Sequence, residues 1–266
     1  MAATNFTLEW LSRAEDLRTA IFNHFWDPEE GAFRDGWQNR TLYPQDANSQ
    51  ALAFGVVEPA SPEALAVSTA LARNWTPIGP ACPELPGNVS PFISSIELQA
   101  HFAANRPDRA LKLMHALWGW YLSHPNGTGS TVIEGYLVDG TWGYRGTAGY
   151  GNDASYVSHA HGWGSGPVTA LSNYLVGLRV TSPGGQEWVL RPSFGTVAEA
   201  EAGFTTPIGK FSARYKVRGA MAAVEWITPL GTKGWLDFGP EPRWVEGGAG
   251  RTTLKLPLDS VGGKNS

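Results

Sequence analysis

Between residues 5 and 26 apolar side chains recur at spacings of three and four, at Trp10, Ala14, Leu17, Ile21 and Phe25. That period places them on one face of an α-helix. Asp27-Pro28-Glu29-Glu30-Gly31 then ends the run in a turn. Further helices are predicted over 46–57, over 62–75 with Pro62 at the first position, and over 90–105. The clearest stripe lies in 107–123, where Leu111, Met114, Trp118, Tyr121 and Leu122 share a face between Pro107-Asp108 and His124-Pro125-Asn126-Gly127. A last helix is predicted over 166–178, with Val168, Leu171, Leu175 and Leu178 as its buried edge. From Gly185 onward the period falls to two. Short alternating runs at 187–191, 197–202, 210–217, 221–227, 234–238 and 252–256 are separated by turns such as Thr206-Pro207-Ile208-Gly209. Such runs read as antiparallel strands of a β-sandwich.

Helices first and strands second predict an α+β chain of two units rather than a βαβ fold. The change of period at Thr181-Ser182-Pro183-Gly184-Gly185 places the boundary between 1–181 and 182–266. The 266 residues suffice for two packed units.

Composition narrows the function classes. The net charge is −4 and no Lys/Arg run occurs, which argues against nucleic acid or an anionic membrane as partner. No stretch approaches the roughly 18 apolar residues that span a bilayer. Cys82 is alone and no Cys/His cluster suggests a metal, so neither a disulfide, a metal nor a cofactor is expected. Met1-Ala2-Ala3-Thr4-Asn5 lacks the features of a signal peptide. Asn-x-Ser/Thr sequons at Asn5, Asn39, Asn74, Asn88 and Asn126, read as loops or helix ends, instead suggest a secreted parent. Gly 32, Trp 12 and Tyr 8 beside only 17% charged residues point to carbohydrate, because indole and phenol faces pack on the C–H faces of sugar rings.

The segment 124–164 is too long for a mere connector. It holds Tyr136, Trp142, Tyr144, Tyr150, Tyr156 and Trp163 interleaved with glycines, and within it Ser130-Thr131-Val132-Ile133-Glu134-Gly135-Tyr136. Inverting glycoside hydrolysis needs one carboxylic acid to protonate the leaving oxygen and a carboxylate about 6.5–9.5 Å away to activate water. Glu134 is a candidate for one of the two; taken alone, a single Glu beside apolar residues is more often structurally paired or capping than catalytic. Asp46, in Tyr43-Pro44-Gln45-Asp46, either faces a cleft or caps the 46–57 helix, and the cap is the favoured reading.

Ser130–Gly140 together with Ser158-His159-Ala160-His161-Gly162-Trp163-Gly164-Ser165-Gly166-Pro167 closely resembles the fungal-type α-L-rhamnosidases, family 78 glycoside hydrolases. Ser90-Pro91-Phe92-Ile93-Ser94-Ser95-Ile96-Glu97-Leu98-Gln99-Ala100-His101-Phe102 resembles the family's preceding helix, and 182–210 its C-terminal β-domain. The resemblance implies a partial (α/α)6 six-hairpin barrel followed by an antiparallel β-sandwich. It implies inverting hydrolysis of terminal α-L-rhamnosides, with Glu134 as general base and His161 contacting rhamnose. His159, two residues away, competes for that contact, and Tyr136, Trp142 and Trp163 become candidate walls of the sugar subsite. Where many members have Trp-Glu-x-Trp, this chain has Ile133-Glu134-Gly135-Tyr136.

The family's general acid lies in an acid- and arginine-rich motif on an earlier hairpin, and no such motif occurs here. Six predicted helices are half of what six hairpins require. The expectation is therefore a C-terminal portion, inactive alone, whose partners are a rhamnose-containing glycoside and a missing N-terminal barrel half. The alternatives are a non-catalytic carbohydrate-binding protein or a six-hairpin glycosidase with another sugar preference.

Overall fold

The computed structural model describes residues 5–239 and 241–256. Residues 1–4, read above for a leader, and the side chain of Asn5 in the first sequon lie outside them. The chain forms two compact units, one up to Gly166 and one from Pro167. The division thus falls before the last predicted helix rather than after it.

The first unit is helical. It contains α1 (Asn5–Phe25), α2 (Gln45–Ala53), α3 (Pro62–Ala72), α4 (Pro91–Ala103) and α5 (Pro107–Met114). A π-helical turn, His115–Gly119, continues α5 into a last helical turn at Trp120–Ser123. Start signals are local: Pro62 occupies the first turn of α3, and the Ser61 hydroxyl accepts the Ala64 N–H at 3.0 Å. Helix α4 lies against α2, α3 and α5. Phe33, Leu52, Val57, Val67 and Leu71 form the core there, with Ile21, Phe22, Phe25 and Trp26 packed on its edge. Only the last turns of α1 join that core. Trp10 and Leu17 of its predicted apolar stripe are 63% and 61% exposed, with the Arg13 guanidinium of the same helix over the Trp10 ring. On the 107–123 stripe, Leu111, Trp118 and Tyr121 are buried as predicted, whereas Leu122 is exposed.

A fully buried polar chain runs through this unit. Glu97 on α4 accepts from Gln45 Nε2 at 2.5 Å, from Trp75 Nε1 at 2.7 Å, and pairs with His101 Nε2 at 3.1 Å. His101 Nδ1 meets the Ser68 hydroxyl at 2.8 Å, and that hydroxyl also accepts from Arg109. Three two-stranded ladders tie the loops: β1 (Trp26–Asp27) with β2 (Ala32–Phe33), β3 (Trp75–Thr76) with β4 (Gly79–Pro80), and β5 (Asn88–Val89) with β6 (Tyr136–Leu137). The last ladder anchors the long segment, and it buries Asn88, whose amide donates to the Leu85 and Pro86 carbonyls. The sequon at Asn88 is therefore not the surface loop it was read as.

The short helix Gly166–Ala170 starts at the division and leads the second unit into a π-helical turn, Leu171–Leu175. Leu175 and Leu178 are buried but Val168 and Leu171 are exposed, so the predicted edge is half correct. Leu178 itself begins a strand. The strands are β7 (Leu178–Val180), β8 (Glu187–Leu190), β9 (Glu199–Thr206), β10 (Gly209–Arg218), β11 (Met221–Ile227), β12 (Lys233–Leu236), β13 (Arg243–Glu246) and β14 (Ala249–Lys255). They form two four-stranded sheets in the orders β14-β11-β10-β9 and β13-β12-β8-β7. In β10, buried Phe211, Ala213 and Tyr215 alternate with exposed Lys210, Arg214 and Lys216, the period of two that predicted a strand. The first sheet is wholly antiparallel, but in the second β8 and β12 run parallel. Antiparallel pairing throughout was expected; it fails here because β9–β11 go to the other sheet, and the chain returns alongside β8 in its own direction.

Candidate functional site

The segment 124–164 holds itself in place through its own backbone. The Glu134 N–H donates to the Ser158 carbonyl at 2.8 Å, and the His161 N–H donates to the Val132 carbonyl at 2.8 Å. The Thr131 hydroxyl donates to the His159 carbonyl. Residues 131–134 thus lie beside 158–161, and two stretches separated by more than twenty residues bring Glu134 and both histidines onto one framework. Ile133 is buried and Glu134 half-buried, so the apolar neighbour anchors the loop segment while the carboxylate keeps access to solvent.

The Glu134 carboxylate is held at both oxygens. Oε1 accepts from the Tyr150 hydroxyl at 2.8 Å, and Oε2 accepts from the Ser158 N–H at 3.3 Å. That hydrogen bond raises the Tyr150 phenol above its ordinary value, because the neighbouring carboxylate disfavours a phenolate; partial burial acts in the same direction. Tyr150 stands between the rings of Tyr144 and Tyr156, at centroid distances of 6.2 and 6.0 Å, with the Arg145 guanidinium over its face at 5.6 Å. Gly135 lies directly beneath the Tyr144 ring, where any β-carbon would overlap the ring carbons. The residue after Glu134 is therefore glycine for a reason of packing.

The other predicted residues fall into two groups. Trp142 is half-buried in an aromatic cluster with Trp120, Tyr121, His124 and His159, at centroid distances of 5.9, 5.9, 4.6 and 5.2 Å. His159 is turned into that cluster, its Nδ1 3.0 Å from the Tyr121 hydroxyl. His161 differs. No described residue hydrogen-bonds its half-buried ring, which lies 6.5 Å from the ring of Trp163. Trp163 is 69% exposed and rests edge-on against Phe92 at 5.1 Å. Tyr136 is a correction: it has no exposed surface, its ring packs on Trp120 at 4.5 Å, and its hydroxyl donates to the Ile78 carbonyl. A residue so enclosed supports the site from behind rather than walling a subsite.

Sequence reasoning gave Tyr150 no role, and a Gly-rich aromatic segment offers no signal for which tyrosine will reach the acid. It also assigned the cap of α2 to Asp46. Instead, Glu84 accepts the N–H groups of Gln45 and Asp46 at 2.8 and 3.1 Å, while burial raises its carboxyl above the usual range. Asp46 sits within the first turn of the helix, where, among the described residues, its carboxylate accepts only the adjacent Ala47 N–H at 2.6 Å. Cys82 is buried and donates to Gln45 Oε1 at 3.1 Å, and burial pushes its thiol up, away from the reactive thiolate. Among the described residues no group of His, Cys, Asp or Glu could hold a metal ion, and no helix is long and apolar enough to cross a membrane.

Chemically, Glu134 is an acceptor fixed by one O–H and one N–H donor, with solvent access. That suits a carboxylate which takes a proton from water in place.

Residues 177–248 match the family described as bacterial alpha-L-rhamnosidase C-terminal domain. Three solved structures are similar over nearly the whole chain. The Streptomyces avermitilis alpha-L-rhamnosidase complexed with L-rhamnose is 18% identical, with a TM-score of 0.64 over 94% of this chain and 24% of that one. The Aspergillus terreus enzyme is 15% identical, with 0.66 over 93% and 27%. The alpha-L-rhamnosidase from Dictyoglumus thermophilum is 15% identical, with 0.65 over 94% and 29%. No curated protein matches the sequence. The resemblance expected from the sequence therefore holds: a rhamnosidase-type domain by sequence in the second unit, and the fold of α-L-rhamnosidases along the chain. The chain spans about a quarter of the length of those structures.

Proposed function

We propose that this chain is the C-terminal portion of an α-L-rhamnosidase-like glycoside hydrolase that cleaves terminal α-L-rhamnosides with inversion, Glu134 serving as general base. The observation that carries the reading is the grip on Glu134, a carboxylate fixed by Tyr150 and Ser158 on a pair of hydrogen-bonded loop segments that also presents His161. A base so held can accept a proton from water without first reorganising, which is how positioned carboxylates contribute. In this reading His161 donates to and accepts from sugar hydroxyls, and Trp163 and Trp142 offer apolar faces to rhamnose. His159 orients the cluster behind them. The finer architecture belongs to the same proposal: the helical unit is part of an (α/α)6 barrel, and the two sheets of the second unit form a β-sandwich.

No residue here is assigned as general acid. The inverting mechanism needs that second carboxyl about 6.5–9.5 Å from the base, and its source in this reading is the remainder of the barrel. The test is hydrolysis of 4-nitrophenyl α-L-rhamnoside by the chain alone and by the chain with the remaining hairpins. The chain alone is expected to give no turnover, whereas the completed enzyme releases the β-anomer, seen by proton NMR. Glu134→Gln is expected to lower that turnover by a factor of about 10²–10⁴. Full activity of the mutant would remove Glu134 from the mechanism. Turnover by the chain alone would show that the acid is within it. Saturable rhamnose binding without hydrolysis by the completed protein would favour a carbohydrate-binding role instead.

A further inference from the structure

A concave site lies in the helical unit, and none of the residues named as lining it belongs to the segment 124–164. It is a cleft of about 590 Å³ lined by Trp75, Arg106, Asp108, Arg109 and Lys112, among others. That volume falls within the range of small-molecule sites, roughly 300–1,000 Å³.

The charges in the cleft do not balance. Arg106 is neutralised by Asp108 through a two-pronged contact, at 2.8 and 2.6 Å. Arg109 donates to the neutral Ser68 hydroxyl at 2.8 Å, and no described carboxylate lies within ion-pair distance of it or of Lys112. The Lys112 ammonium stands over the Trp75 ring at 5.8 Å. Partial burial and the nearby Arg106 charge work against the Arg109 cation more than the Asp108 charge supports it, a cost that a bound anion would offset. Trp75 is not free to turn away, because its indole N–H is tied to the buried Glu97 carboxylate at 2.7 Å. A fixed indole next to Lys112 and Arg109, neither within ion-pair distance of a described carboxylate, places an aromatic surface beside a carboxylate-binding pair.

We propose that this cleft binds an acidic saccharide, a uronate residue whose ring lies against Trp75 and whose carboxylate pairs with Arg109 and Lys112. The site is independent of Glu134. Sodium D-galacturonate is the probe, titrated into the full chain while the Trp75 indole N–H signal is followed by nitrogen-proton NMR. A saturable shift is expected that weakens as ionic strength rises. D-galactose, which lacks the carboxylate, should bind at least about tenfold more weakly, a difference of roughly 1.4 kcal/mol. Lys112 is exposed, so Lys112→Glu leaves the fold intact and should raise the dissociation constant about tenfold or more, while Lys112→Arg should retain binding. Three results would overturn the proposal: no saturable shift with galacturonate, equal binding of galactose, or inorganic phosphate binding as tightly as galacturonate, which would mark a bare anion site.

Discussion

Replacing Glu97 by leucine tests whether the buried polar chain holds the helical unit together. The side chain is fully buried, and its two oxygens meet three nitrogen groups, on Gln45, Trp75 and His101. Leucine removes the acceptor and leaves the volume nearly filled, so the cavity contribution is small and the cost comes from donors left without partners. Each such buried donor costs about 1–3 kcal/mol. Three of them would sum to roughly 3–9 kcal/mol, reduced by the desolvation of a carboxylate that no longer has to be buried. Breaking a buried pair by removing one partner usually costs about 3–5 kcal/mol, and that is the expected loss. For a unit of this size it corresponds to a fall in melting temperature on the order of 10 °C. Urea unfolding followed by tryptophan fluorescence measures it, with an unchanged slope showing that only stability moved. Trp75→Phe should couple to it in a double-mutant cycle by about 0.5–3 kcal/mol. A loss below about 1 kcal/mol for Glu97→Leu, within the range of a neutral surface change, would mean that the three donors find other partners and that the reasoning is wrong.

Two further outcomes follow from the packing and the charges. Gly135→Ala drives a β-carbon into the Tyr144 ring; it should destabilise by about 1–3 kcal/mol and, by displacing the segment 131–135, lengthen the Tyr150–Glu134 contact. Thermal unfolding together with the Tyr150 phenol titration would detect both, and an unshifted titration would detach Gly135 from the site. Asp27 accepts from Tyr43 at 2.6 Å, from the Glu29 N–H and from Arg34, and these contacts hold its carboxyl below the usual value. A depressed folded-state value adds stability that is present above the unfolded carboxylate range and lost as pH falls through the folded value. The stability difference between wild type and Asp27→Asn should therefore be full at neutral pH and shrink in acid below about pH 4. A difference that is constant across that range would show that the carboxylate's charge plays no part.

How much of this was legible beforehand depends on the range of the interaction. Helices α2 to α5 and strands β8 to β12 and β14 were visible because period, Pro62, Ser61 and the Gly/Pro turns act within a few residues. The motif around Glu134 and His161 could be picked out for the same reason, since it too is a run of neighbouring residues. The partner of Glu134 was not visible, since Tyr150 lies sixteen residues away in a segment where several aromatics were equivalent on paper. Tyr136 was misplaced because an aromatic next to an acid reads alike whether it faces a sugar or the core; the Ile78 carbonyl decided it, from fifty-eight residues away. His159 and His161, interchangeable by spacing, parted only when Tyr121 and Trp142 claimed one ring.

The amino-acid order alone determined where helices give way to strands, which carboxylate sits in the rhamnosidase-like motif, and the absence of any basic run. These are consequences of local backbone preference and of composition. The tertiary structure decided what only distant segments can supply. It brought Glu84 to the start of α2, where it takes two N–H groups while Asp46 takes that of Ala47, set β8 parallel to β12, and gathered Trp75, Arg109 and Lys112 into one cleft. In each case side chains from separate stretches compete for one donor, one edge or one volume, and the outcome depends on packing that no local pattern encodes.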